Sequence, residues 1–317
     1  MSKNSNGSDK ETKIKPASDP SSECTYRSKA KMKFRISADD IWMPSPTIMD
    51  EAEFKFVRCS TPGCVNSSAF SQYNSMTLRA GFDTCVMHTT MDAIKAKSES
   101  MFMPESTVFI FYDIEVTSRM EIEQLSACVV TGEHFTTTIK TATRRNNSPV
   151  LSKFTPMVYA MLATEPRVAF ENFIMWINRM MNEQSNGSAT ESDVVLIAHN
   201  GMCHDHVILF RTMMLWGIRP PRWRLSDSLP IFKLVIRPSS NQSSALSQLA
   251  HEYAPWFVHV QHDALSDSNA LKYVVMSAVP NWQLACYSFS SSFGYFCTSV
   301  GLNAYKVRDP LPFPDSA

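Results

Sequence analysis

The chain lacks an excess of either charge. Lys plus Arg and Asp plus Glu number 30 each over 317 residues, so the formal net charge is zero. This excludes a globally basic surface as a means of holding a polyanion and confines any nucleic-acid contact to local features. A run of apolar residues long enough to span a membrane is also missing. The opening MSKNSNGSDKETKIKPASDPSSE has no apolar segment of the kind a secretory signal needs. The expectation is a soluble, intracellular protein without a membrane partner. The eight cysteines lack the regular spacing of a disulfide framework, which leaves free thiols and room for one metal site. No internal repeat is visible.

What is present divides the chain into four parts. Residues 1–30 are rich in Ser, Lys, Asn and Pro and cannot bury enough apolar surface to offset their ordering entropy, so they read as a disordered tail. Residues 31–105 scatter Trp42, Phe54, Phe56, Phe70 and Phe82 among Cys and polar residues, which suggests a small irregular Cys/His module. The length suits one α/β domain with an appended segment, and the periodic segments place that domain at 106–280. Residues 281–317 form a C-terminal extension with no assignable role.

Within the domain, Val108-Phe109-Ile110-Phe111-Tyr112 reads as a strand buried on both faces. Two β-like stretches, 124–131 and 134–140, flank the turn-prone Thr131-Gly132. Pro166 opens a helix whose Phe170, Phe173, Ile174 and Ile177 fall on one face, ending near Gln184. Val194-Val195-Leu196-Ile197 is a second apolar strand, followed by helical spacing from Asp205 to Trp216 and a stop at Gly217. A strand at 222–227 and helices near 244–253 and 263–276 complete the pattern. The fold class expected is α/β, a mixed sheet flanked by helices.

Three acidic elements carry the chemistry. Asp113-Ile114-Glu115 ends the first apolar strand, and period-2 geometry turns both carboxylates to one face. Two acids at an apolar sheet edge are costly unless a cation compensates them, and oxygen ligands suit Mg²⁺ or Mn²⁺. Asp205 follows the second apolar strand through Ala198-His199-Asn200-Gly201, at the sheet edge where α/β proteins gather ligands; helix capping is its structural alternative. His262 and Asp267 form the third element, with the acid one turn into a helix and the imidazole on the loop before it. Alone, a D-x-E pair arises by chance about 0.7 times and an H-x4-D pair about 0.4 times in such a composition. Their order along the chain is what gives them weight. Two cations bridged by carboxylates, with an imidazole to accept a proton from water, is the arrangement that two-metal phosphodiester hydrolysis uses.

These elements resemble the DEDDh exonucleases of the DnaQ-like group, which use a ribonuclease H-like fold. The resemblance covers roughly 105–280 and rests on Tyr112-Asp113-Ile114-Glu115-Val116-Thr117, on Ile197-Ala198-His199-Asn200-Gly201 through Asp205 to Leu209, and on His262 to Asp267 with Ala264 and Leu271. In spacing it is most similar to three-prime repair exonucleases and the exonuclease-like domain of some PML isoforms, and Asp227-Ser228-Leu229 resembles their D-[ST]-L segment. The resemblance implies a nucleic-acid partner with a free 3′ end, Asp113, Glu115, Asp205 and Asp267 as ligands of two Mg²⁺ or Mn²⁺ ions, and His262 as general base. It also implies Ile114 and Val116 beneath the terminal nucleotide and Asn200 as a positioning residue. His204 departs from the aromatic usual before that Asp and is a candidate substrate contact. Val116-Thr117-Ser118 departs from the usual Thr-Thr/Ala-Gly. A catalytically silent nucleic-acid-binding or adaptor protein on the same fold is the alternative, against which stands the retention of all five residues.

Cys59-x4-Cys64 and Cys85-x2-His88 form two ligand pairs on short turns, the pattern of a structural zinc site, with unrelated thiols in a packed module as the alternative. Such a module could contact nucleic acid or a protein partner. Arg144-Arg145 and Arg219, Arg222 and Arg224 could track a phosphate backbone, or serve solubility. Cys203 lies near the proposed metals but has no paired base to make it a nucleophile.

Overall fold

Strand β1 (Val108–Val116) shows why an uninterrupted apolar run becomes the centre of a sheet. Its side chains alternate between two cores, Val108, Ile110, Tyr112 and Ile114 in one and Phe109 and Phe111 in the other, all buried. The next two strands, β2 (Ile122–Cys128) and β3 (His134–Thr138), form an antiparallel meander beside it, turning through Gly132 at φ +107. Strand β4 (Val194–Ala198) repeats the alternation of β1, with Val194, Leu196 and Ala198 in the first core and Val195 and Ile197 in the second. With β5 (Arg224–Asp227) and β6 (Ser290–Ser292), the sheet order is β3-β2-β1-β4-β5-β6. Pairs β1–β4 and β4–β5 are parallel; the others are antiparallel. The protein is thus mixed α/β with a six-stranded mixed sheet.

The computed structural model describes residues 58–64, 76–141, 156–184, 193–238 and 242–299. The expected tail, most of the expected 31–105 module, Arg144-Arg145 and residues 300–317 lie outside the described residues. Every described residue belongs to one unit, Pro44–Ala317. Its helices, in chain order, are α1 (Met76–Arg79), α2 (Met91–Ser100), α3 (Pro156–Leu162), α4 (Pro166–Gln184), α5 (Asp205–Leu215), α6 (Ser228–Ile231), α7 (Leu246–Tyr253), α8 (Ala264–Ala278), α9 (Trp282–Ser288) and α10 (Phe293–Ser299). A π-helical turn, Phe232–Ile236, follows α6.

Helix α4 starts at Pro166, where the missing N–H costs nothing, and buries Phe170, Phe173, Trp176, Ile177 and Met180 against the first core. Helix α5 adds Ile208, Leu209, Phe210 and Met213 to the same core. On the opposite face α8 lies across β1 and β2, with α7 beside it. This two-sided cover is what a parallel centre needs. None of the helices among the described residues is long and apolar enough to cross a membrane.

Two boundaries drawn from composition differ from the structure. The sheet continues past residue 280: β6 pairs with β5, and Trp282 packs its ring 5.1 Å from Phe109 and 5.6 Å from Phe111. Serines 290 and 291 are buried at 1% and 2% exposure, so hydroxyls rather than apolar side chains build this strand and give no hydrophobic signal. The segment on either side of Cys85 also shares the domain core, because Ala80, Phe82 and Ile94 belong to the second core and the Phe82 ring packs, tilted, 5.3 Å from Phe289.

Phe173 is fully buried, with Phe135 at 5.4 Å and Trp223 at 6.0 Å between ring centroids. Phe173→Ala is expected to lower unfolding free energy by about 3–5 kcal/mol, measured by denaturant titration with an unchanged m-value.

Candidate metal centre

Odd-numbered residues of β1 face α8, so Asp113 and Glu115 meet the helix that carries Asp267 in its first turn. Carboxylate oxygens of Asp113, Glu115 and Asp267 lie within 4.8 Å of one another, a spacing at which they could hold a metal ion. The fourth acid stands apart from this triplet. Asp205 begins α5 directly behind β1, where its Oδ1 accepts a hydrogen bond from the Ile114 N–H at 3.4 Å and its Oδ2 lies 3.6 Å from His204 Nδ1. The four acids line one cleft of about 310 Å³ together with Ile114, Asn200, His204 and His262. Val116, on the same strand face as Ile114, packs against the core beneath α4 and α5 instead. A register shift between Glu115 and Val116 ends the regular pairing at that point.

The electrostatics follow from crowding. Loss of solvent, and then the charges of Asp205, Asp267, Glu115 and Asp263, push the Asp113 carboxyl well above the usual carboxylate range. Among the described residues the cleft walls carry four histidines, His199, His204, His259 and His262, and no lysine or arginine. A bound cation is therefore the natural partner for these acids. The hydrogen bond to Asp205 raises the His204 imidazole, with burial opposing it.

The position of Asp205 depends on the loop between β4 and α5. Asp227, at the end of β5, is fully buried and accepts hydrogen bonds from the N–H groups of Asn200 at 2.8 Å, Met202 at 3.0 Å and Leu229 at 2.9 Å. Burial pushes its carboxyl up to about 7 against the lowering effect of those three donors. Asn200 adopts φ +62 to make the turn, and its role is thus visible in its backbone. Gly201 next to it permits close approach: a Cβ there would lie 2.6 Å from Ala198 Cβ and 2.8 Å from His206 Nε2. His206, wholly buried, donates from Nε2 to the Ser226 carbonyl at 3.0 Å, which leaves Nδ1 to accept from the Tyr112 hydroxyl at 2.7 Å. His199 is held similarly, between the Ser228 hydroxyl at 2.8 Å and the Ser244 carbonyl at 2.7 Å.

The third element is fixed by a residue that sequence reasoning missed. Gln124 pairs opposite Glu115 in β2, and its amide reaches the start of α8, donating to Asp263 Oδ1 at 3.2 Å and accepting from Ala264 N–H at 3.3 Å. His259 was missed as well; its Nε2 lies 2.5 Å from Asp267 Oδ1. The available signal was alternation in Trp256-Phe257-Val258-His259-Val260: Trp256, Val258 and Val260 are exposed, while Phe257 packs on Tyr273 and His259 faces the acid. His262 occupies a turn at φ +59 with its side chain 68% exposed, and its Nδ1 is 3.9 Å from Glu115 Oε1.

Away from the cleft, Cys59, Cys64, Cys85 and His88 bring their ligand atoms within 4.8 Å of one another, a second place that could hold a metal ion. Cys203 is not available as a nucleophile, because burial pushes its thiol up to about 12. Arg224 stacks on Tyr287 at 4.4 Å and donates to Ser290 Oγ at 2.8 Å, so it ties β5 to β6.

No family model matches the chain, and no curated protein matches it either.

Burial lowers the His206 imidazole from 6.5 to about 4. A group whose folded value is lowered contributes its stability in full above the unfolded value and loses it as the pH falls toward the folded one. The stability advantage of the metal-free wild type over His206→Gln is therefore expected to shrink, by on the order of 3 kcal/mol, as pH falls from about 6.5 to about 4. Denaturant titrations at several pH values measure it, and a pH-independent difference contradicts it.

Proposed function

We propose that the chain is a metal-dependent 3′-5′ exonuclease of the DEDDh type on a ribonuclease H-like fold, releasing nucleoside 5′-monophosphates from the 3′ end of DNA or RNA. The observation that carries this reading is the meeting of Asp113, Glu115 and Asp267 within 4.8 Å in a cleft that also contains Asp205 and His262. The mixed sheet supports it, since two of the acidic elements leave the carboxyl ends of adjacent parallel strands, the edge where α/β sheets bind ligands.

Asp113, Glu115, Asp267 and Asp205 are the residues that would hold a pair of Mg²⁺ or Mn²⁺ ions. Bound there, such ions supply Lewis-acid stabilisation of charge on the attacking and leaving oxygens. The remaining work belongs to the chain. His262, on its exposed turn beside Glu115, takes the proton from the attacking water, which is the task an imidazole suits near neutral pH. His204 at the cleft wall presents a polar ring to the substrate. Ile114 provides apolar contact for the terminal nucleotide, and Asn200 holds the loop that presents Asp205. His259 and Gln124 keep Asp267 aimed at β1 from two sides. A chain of zero net charge is compatible with this chemistry, because the cations bring the positive charge that meets the phosphate.

Asp113→Ala and Asp267→Asn are each expected to abolish Mg²⁺-dependent shortening of an oligonucleotide with a free 3′ end. His262→Ala is expected to slow it by about 10²–10⁴-fold while leaving the fold intact. Matched labelled DNA and RNA substrates, followed by gel electrophoresis, test all three. Full activity in either carboxylate variant overturns the proposal.

A further inference from the structure

Four soft ligands outside the acidic cleft close around one point. Cys59 and Cys64 sit on a turn in which Gly63 adopts φ +77 and the Cys64 N–H donates to the Thr61 carbonyl at 3.1 Å. Cys85 and His88 sit on a second turn, closed by the His88 N–H and the Cys85 carbonyl at 2.9 Å. The Ser60 N–H donates to the Asp83 carbonyl at 2.8 Å and laces the two turns together. A tetrahedral zinc with the usual bond lengths has edges of about 3.8 Å between sulfurs and about 3.6 Å between sulfur and nitrogen. The chain places Cys64 Sγ 4.0 Å from Cys85 Sγ, and His88 Nδ1 3.5 Å from Cys59 Sγ and 3.3 Å from Cys85 Sγ. Cys59 and Cys85 are buried, which suits a site closed by four protein ligands rather than one with an open catalytic position.

The neighbourhood of these ligands reaches the acidic cleft through α1. A helix of four residues has too few internal hydrogen bonds to hold itself, so its position is set by what flanks it. Leu78 is wholly buried against Cys59, Cys64 and Cys85. Thr77 Oγ1 donates to the carbonyl of Thr84, the residue before Cys85, at 2.6 Å. The next residue after Leu78, Arg79, points the other way: 4% exposed, it donates from Nη1 to the Met202 carbonyl at 2.9 Å and to Cys203 Sγ at 3.3 Å. That is the loop whose N–H groups Asp227 holds and whose end delivers Asp205. Two consecutive side chains thus join the cysteines on one side to the Asp205 loop on the other.

We infer that Cys59, Cys64, Cys85 and His88 bind one structural zinc ion, and that this ion, by fixing α1, keeps Arg79 against the Met202-Cys203 backbone and so positions Asp205. Arg79 is a positioning residue in this account. The zinc site is then part of the domain that carries the cleft, and its loss loosens the loop without touching a carboxylate.

The test uses the full chain and two readouts that involve no nucleic acid: zinc content by elemental analysis, and amide hydrogen exchange over residues 200–206. The wild type is expected to carry one zinc per chain, the Cys59→Ser/Cys64→Ser double variant none, and His88→Cys one, since four thiolates also satisfy zinc. Exchange at Met202 to His206 is expected to rise roughly tenfold or more in the double variant, the scale of one charge-assisted hydrogen bond. Arg79→Gln is expected to show the same rise while keeping its zinc. Should the double variant fail to fold, chelator titration of the wild type under the same exchange measurement replaces it. A wild type without zinc, or zinc retained in the double variant, overturns the site. Zinc lost with no change in exchange at Met202 to His206 overturns the coupling. Because neither readout depends on catalysis, failure of the exonuclease reading and failure of this inference register separately.

Discussion

Like charges that a fold forces together set the terms for everything around them. Asp113, Glu115 and Asp267 converge within 4.8 Å, with Asp205 a further negative neighbour behind β1. Nothing in the apolar sheet beneath favours such a group, and the carboxyl of Asp113 is accordingly pushed far from its ordinary behaviour. The molecule tolerates the arrangement only because the rest of the domain is rigid where the acids attach. The strand that bears two of them is covered on both faces, and the helix that bears the third lies flat across that strand.

Rigidity at the cleft comes from buried polar contacts rather than from more apolar packing. Asp227 organises three N–H groups around the turn before α5, and His206 bridges the Tyr112 hydroxyl to the Ser226 carbonyl across three elements. Both carboxylate oxygens of Asp227 and both ring nitrogens of His206 have partners, which is the condition under which such networks specify one geometry. Gly201 is where this packing leaves no room for a side chain. Gln124 performs a similar duty at the start of α8, joining the meander to the helix by its amide.

How much of this is legible in the chain depends on what kind of force builds each part. Strands β1 and β4 and helix α4 announce themselves because transfer of apolar surface drives them, and their periodicity survives in the residues: α4 starts at Pro166 and ends at Gln184, as its spacing predicts. The acids at Asp113, Glu115 and Asp267 are legible for a related reason, since strand geometry and helix phase dictate their faces. Parts built by hydrogen bonds are quiet. Strand β6 is three serines, His259 reaches Asp267 from an irregular segment, and Gln124 acts across a strand pair whose register no local pattern declares. Composition likewise mislocates boundaries. The residues around Cys85 look separate because they are irregular, yet Phe82 and Ile94 are buried with Phe109. Val116, placed beneath the substrate by resemblance alone, follows the alternation of Ile114 and packs against the first core.

The sparse chemistry of β6 has a consequence for how copies of the protein behave in a crowded solution. An open sheet invites another chain to add a strand wherever its last strand is long, flat and apolar. Among the described residues one margin is a three-residue run of serines and the other is His134–Thr138, a short polar strand with exposed His134 and Thr136. Neither margin offers a greasy template. Short, polar margins of this kind give another chain's backbone little to pair with, although the strands at the centre of the sheet are largely hydrophobic.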